Sequence, residues 1–213
     1  LRLVTLLCFG DSNTWGFNPA SWERYPLDIR WPGVLQNELG KSYRVIEDGQ
    51  NGRTAVESRV FAGFNTSKTD LVSTLANYSP LDLVILMLGT NDLLMSSSVS
   101  PDDVGKGIDV LLDTIRHSGA GPVSSAPVVL LLAPPPIGSP IGKTETLESA
   151  VAQSHLFAER YASIAADFGC AFLNTGEIVR SSEIDGSHLD VSEHKKLGLA
   201  VAKRVRMIFA EAG

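Results

Sequence analysis

Five short, β-rich apolar runs recur along the chain at wide spacing, each separated from the next by a segment of helical period. They are Leu3-Val4-Thr5-Leu6-Leu7-Cys8-Phe9, Tyr43-Arg44-Val45-Ile46-Glu47, Asp82-Leu83-Val84-Ile85-Leu86-Met87-Leu88, Pro127-Val128-Val129-Leu130-Leu131-Leu132-Ala133 and the weaker Ala171-Phe172-Leu173. Continuous apolar runs of this length suit strands covered on both faces in a parallel sheet. Between them the periodicity predicts helices over 32–39, 69–78 and 102–117 and a long one over 144–168. A last helix over about 192–209 puts Leu197, Val201, Val205 and Ile208 on one face. Strand and helix alternate throughout, which predicts a three-layer α/β/α fold, flavodoxin-like, with about five parallel strands.

The chain has 213 residues, with no internal repeat and no linker separating two compositions, so residues 1–213 are read as one domain. A formal charge of -6, and no basic run longer than Lys195-Lys196, argue against nucleic acid as a partner. The longest apolar runs fall far short of the roughly 20 residues of a membrane helix. Cys8 and Cys170 form no CxxC pair and no disulfide framework. They read as buried free thiols of a reducing, cytoplasmic setting, with a removed leader left open because the sequence begins at Leu1. Asn65-Thr66-Ser67 and Asn77-Tyr78-Ser79 match the glycosylation sequon and are read as chance matches.

Each strand of a parallel sheet delivers its following loop to the same edge, where ligands of such folds bind. Polar, glycine-bearing loops follow the first three runs: Gly10-Asp11-Ser12-Asn13-Thr14-Trp15-Gly16, Asp48-Gly49-Gln50-Asn51-Gly52-Arg53-Thr54 and Gly89-Thr90-Asn91-Asp92. Ile184-Asp185-Gly186-Ser187-His188-Leu189 comes after the fifth, and the proline-rich stretch 134–140 follows the fourth. These residues suit nucleophilic acyl transfer. A serine hydroxyl needs a base to take its proton, and the base needs an acceptor to fix its tautomer. Ser12, His188 and Asp185 can fill these roles, since a carboxylate three residues before the histidine can reach one ring nitrogen while the other faces the serine. For the oxyanion, three donors are at hand: the backbone N–H of Ser12, the backbone N–H of Gly52 and the side-chain amide of Asn91. Trp15 and Leu93, with Leu94 and Met95 beside the latter, are candidates for a substrate-binding surface, with ordinary core as the alternative.

Plainer readings stand beside these. Ser12 could be a helix N-cap and Asn91 a turn cap. Asp11 and Asp92 read as loop-ordering carboxylates. His117 reads as a charge partner at a helix end, while His155 and His194 lie within predicted helices. No paired-histidine spacing supports a metal, so neither metal nor cofactor is expected. The GxSxG elbow and the GxxxxGK[ST] phosphate loop are both absent from the sequence. From a different class, a non-catalytic flavodoxin-like module binding a flavin or phosphate stays open.

Taken in order, Gly10-Asp11-Ser12-Asn13, Gly52, Gly89-Thr90-Asn91-Asp92 and Asp185-Gly186-Ser187-His188 resemble the four motif blocks of the GDSL, or SGNH, hydrolases over nearly the whole chain. The longer strings over 10–16 and 81–92 resemble the arylesterase and acyltransferase branch. The resemblance implies a metal-free serine esterase with Ser12 as nucleophile, Gly52 and Asn91 as oxyanion donors, and Asp185 and His188 as the rest of the triad. It also implies hydrolysis of short-chain acyl and aryl esters, acyl transfer to alcohols in some members, and a homo-oligomer in several. Deacetylation of acetylated sugars is the alternative that uses the same residues. Two positions depart from the pattern. Asn13 replaces the leucine of the family name, and the stretch 134–144 is shorter than the corresponding loop of the oligomeric acyltransferases.

Overall fold

In the computed structural model, which describes residues 2–56, 67–139 and 145–211, the elements run in the order β1 (Val4–Gly10), α1 (Ser12–Trp15), α2 (Trp31–Leu39), β2 (Tyr43–Gly49), α3 (Ser67–Tyr78), β3 (Leu83–Met87), α4 (Thr90–Met95), α5 (Pro101–Arg116), β4 (Val128–Ala133), α6 (Glu145–Ser154), α7 (Phe157–Phe168), β5 (Ala171–Asn174) and α8 (Val191–Glu211). Asn65 and Thr66 of the first sequon, and residues 140–144 of the 134–144 stretch, lie outside the described residues. The five strands form one sheet in the order β2-β1-β3-β4-β5, and every pairing is parallel. This is the predicted flavodoxin-like order. It places a topological switch between β1 and β3, the point at which open α/β sheets bind ligands.

The two-residue period of a strand divides the apolar runs between two cores. Leu7, Phe9, Val84, Leu86 and Leu131 face one side, where they meet Leu71, Ile108, Leu111, Phe157 and Tyr161 from α3, α5 and α7. Leu6, Cys8, Leu83, Ile85, Leu130 and Leu132 face the other, against Trp31 and Leu35 of α2 and Leu197, Val201 and Val205 of α8. Burial on both faces explains why these strands show no polar alternation. Helix ends are set locally: Ser100 and Asp103 form a reciprocal capping box at the start of α5, with Pro101 in its first turn.

Three expectations need correction. The predicted 144–168 helix is two helices, α6 and α7. At the junction the Ser154 hydroxyl bonds to the Val151 carbonyl and accepts the Ile137 N–H, while Phe157 and Tyr161 are buried under the sheet. A break lets α6 pack beside α4 while α7 lies along β4 and β5, and it leaves His155 exposed in the turn rather than inside a helix. The segments after β1 and β3, read as loops, open with the short helical turns α1 and α4. Of the two free cysteines, Cys8 is fully buried but Cys170 only partly so.

The burial along β4 has a direct test. Leu131→Ala, at a fully buried position of β4, should lower the urea-unfolding free energy by about 2–5 kcal/mol. Val128→Ala, on the same strand but 45% exposed, should change it by no more than about 0.5 kcal/mol. Equal costs would contradict the burial assigned to these two positions.

Candidate active site

Four of the strand ends bring the sequence-predicted residues together. The Asp11 side chain accepts the Asn13 N–H at 2.9 Å and so caps α1. Ser12 is therefore not the cap but the first helical residue. Its hydroxyl lies 2.9 Å from Nε2 of His188, across 176 residues of sequence. The other ring nitrogen of His188, Nδ1, is 2.6 Å from Oδ2 of Asp185. Oδ1 of Asp185 accepts the backbone N–H groups of Ser187 and His188, at 2.9 and 3.0 Å, which fixes the carboxylate under the imidazole. Although partial burial pushes Asp185 upward, the hydrogen bond with His188 and these two backbone N–H groups hold its pKa down to about 2. The carboxylate is therefore ionised at neutral pH.

The oxyanion candidates sit on the adjoining turns. Gly52 takes φ +78, a backbone conformation that a residue with a Cβ adopts only under strain. The Asn91 amide donates to the Arg53 carbonyl at 2.9 Å, which orients it and spends one of its two hydrogens. Trp15 is half-buried beside Phe17, with the Arg24 guanidinium over its ring. Leu93 is only 2% exposed and belongs to the apolar core under α4, so the ordinary-core alternative describes its placement.

Several residues that hold the site together escaped the sequence reading. Asn13 donates to the Ser187 carbonyl at 2.9 Å and accepts the Leu189 N–H at 3.0 Å, gripping the chain on both sides of His188. The buried Arg53 guanidinium bonds to the carbonyls of Gly10 and Asp48 and to the side chains of Asp48 and Gln50. It thereby ties the ends of β1 and β2 to the turn carrying Gly52. Gly49 leaves room for α1, since a Cβ there would fall 2.1 Å from the Trp15 backbone nitrogen. The proline-rich stretch after β4 braces the histidine loop through Gly138 N–H to Gly186 carbonyl at 2.7 Å and Ser181 hydroxyl to Pro136 carbonyl at 2.9 Å. Phe17 lies against the His188 ring, with 4.3 Å between ring centres.

The remaining histidines are placed elsewhere. His117 ends α5 and pairs with Asp113, while His194 is fully buried, accepts the Trp31 N–H through Nδ1 and is pushed by burial down to about 3. Among the described residues, no group of three or more His, Cys, Asp or Glu is arranged to hold a metal, and no helix is long and apolar enough to cross a membrane.

Residues 8–194 match the model of the GDSL-like lipase/acylhydrolase family. The chain is similar to the solved structure of an aryl esterase from M. smegmatis, with 34% identity, TM-score 0.88 and coverage of 96% of this chain and 99% of that one. It is also similar to a carbohydrate acetylesterase family member from Sinorhizobium meliloti, with 32% identity, TM-score 0.90 and coverage of 98% and 100%. A search of curated proteins by sequence finds no match.

Behind the triad, the loop-ordering aspartates create an unusual titration. Asp92 accepts the N–H groups of Ala55 and Val56, both at 2.9 Å. Burial nevertheless raises it to about 7, with the Asp11 charge adding to the lift. An unfolded aspartate titrates near about 3.9. Between roughly pH 4 and 7 the folded chain therefore holds a proton that the unfolded chain has lost, so the unfolding free energy falls as pH rises through this window and levels off above it. Asp92→Asn removes that slope. In urea unfolding followed from about pH 4.5 to 8.5, the difference between variant and parent should move in the variant's favour up to pH ~7 and then stay flat. Parallel pH profiles would contradict the assignment.

Proposed function

Since the chain belongs to the GDSL-like lipase/acylhydrolase family and is a carboxylic ester hydrolase, we propose that it cleaves short-chain acyl or aryl esters through an acyl-enzyme on Ser12. The observation that carries this reading is the pair of hydrogen bonds running from the Ser12 hydroxyl through His188 to Asp185, at 2.9 and 2.6 Å. Ser12 Oγ passes its proton to Nε2 and bonds to the ester carbonyl carbon. The negative charge that moves onto the carbonyl oxygen is met by the N–H groups of Ser12 and Gly52 and the second amide hydrogen of Asn91. Collapse of this intermediate breaks the bond to the alcohol oxygen, which leaves with the proton from His188. Water then repeats the sequence on the acyl-enzyme, and the carboxylic acid is released. Asp185 stays ionised and stabilises the imidazolium that forms in each half-reaction. An alcohol in place of water gives acyl transfer.

Deacetylation of acetylated sugars is the second reading, favoured by the likeness to the carbohydrate acetylesterase family member. It uses the same residues. The non-catalytic flavin or phosphate module gives way, because family membership makes the chain a hydrolase. Two further proposals concern location and assembly. A cytoplasmic location is supported by two cysteines that are both free thiols. Self-association is supported by the resemblance to the arylesterase and acyltransferase branch.

Ser12→Ala should lower kcat on p-nitrophenyl acetate by about 10³-fold or more while leaving the urea midpoint in place. Asp185→Asn should cost about 10²- to 10⁴-fold, because the imidazole loses the partner that fixes its tautomer. Full activity in either folded variant would overturn the mechanism. For self-association, light scattering at micromolar concentration should show a species heavier than one chain; a monomer would refute it.

A further inference from the structure

The loop between α1 and α2 carries an exposed aromatic side chain that the triad does not use. Trp22 is 78% exposed and sits at φ +61, where a bulky residue is strained. Its ring centre lies 6.2 Å from that of Phe17, and Phe17 in turn lies 4.3 Å from the His188 ring. Phe17 thus lies within aromatic contact distance of both the imidazole and the indole. The loop is held in this shape by its own backbone: Trp22 N–H donates to the Asn18 carbonyl at 2.8 Å, Asn18 N–H to the Glu23 carbonyl at 2.9 Å, and Tyr25 N–H to the Gly16 carbonyl at 2.8 Å. An isolated β-bridge pairs Phe17 with Arg24. Water makes a costly neighbour for an indole, so a backbone that keeps one exposed at a strained angle, one ring away from a histidine of the site, points to a ligand.

We propose that Phe17 and Trp22 form the leaving-group side of the site and select esters whose alcohol part is an aromatic ring. The inference rests on the acyl-enzyme reading above and adds the part of the substrate that Ser12 does not keep. When the bond between carbonyl carbon and phenolic oxygen breaks, that oxygen takes its proton from Nε2 of His188, so the departing ring leaves beside the imidazole and next meets Phe17. Offset and edge contacts between rings favour an aryl group there. A pyranose would also stack on an aromatic face, so the test carries a sugar substrate beside the aryl one.

The test compares kcat/KM on phenyl acetate and on hexafluoroisopropyl acetate, which share an acyl group and have comparably acidic leaving groups, one flat and aromatic and one not. Trp22→Ala should lower the phenyl to hexafluoroisopropyl ratio about three- to tenfold, and Trp22→Phe, which keeps a ring, should restore most of it. An unchanged ratio in a folded Trp22→Ala enzyme overturns the proposal. So does a loss confined to an acetylated methyl xyloside, which would assign the shelf to a sugar, or a change in oligomer mass with the ratio intact, which would assign it to a second copy of the chain. If the parent enzyme turns over neither acetate, the acyl-enzyme reading itself fails, an outcome distinct from a shelf that has no effect.

Discussion

One side-chain amide joins the two halves of the site. Asn13 follows the serine on α1, yet it donates to the carbonyl before His188 and accepts the N–H after it. Serine and histidine stand 176 residues apart in sequence, and a contact between them at hydrogen-bond distance demands that two independent loops agree to within a few tenths of an ångström. Asn13 is 3% exposed, so its two bonds are made away from competing water and with both amide functions satisfied. An aliphatic side chain at this position offers neither bond. The departure from the family's leucine is thus a change in how the histidine loop is held, with the Ser12–His188 hydrogen bond left in place.

The second tie is ionic. Placing the Arg53 guanidinium at 3% exposure costs several kcal/mol of lost hydration, and the loss is offset by acceptors from the ends of two strands, the Asp48 carboxylate and the face of Phe9 at 4.0 Å. The same residue's carbonyl orients Asn91. One residue therefore couples the Gly52 turn, the first two strands and the start of α4. Asp92 extends the coupling by holding Ala55 and Val56. The oxyanion candidates inherit their positions from this network and from the β1/β3 switch, at the edge of a sheet whose two faces are sealed by separate cores.

Much of this was legible in the amino-acid sequence, for identifiable reasons. Continuous apolar strands have few alternatives to a parallel sheet, and parallel strands send their loops to one edge, so Ser12, Gly52, Asn91, Asp185 and His188 could be gathered before any geometry was known. The spacing of Asp185 and His188 carried its own geometry because both lie in one turn. What stayed hidden depends on long-range partners. Arg53 looks like a surface cation until the strand carbonyls around it are seen, and Asn13 looks like a variant of a motif letter until its bonds to residues 187 and 189 appear. The 144–168 segment reads as one helix because helical period says nothing about where the sheet ends. Leu93 looked as suitable for a pocket as for the core, and only packing separates those two. Phe17 gives no sequence signal, since a single aromatic near a turn has no pattern; what marks it is proximity to His188.

The most direct measurement is the structure of the enzyme after reaction with a small alkyl fluorophosphonate, which leaves a tetrahedral phosphonyl group on the nucleophile. The expected result is a covalent bond to Ser12 Oγ, with the phosphonyl oxygen about 3 Å from the backbone nitrogens of Ser12 and Gly52 and from the Asn91 amide nitrogen. Attachment at any other residue, or at Ser12 with that oxygen turned away from Gly52 and Asn91, would contradict it.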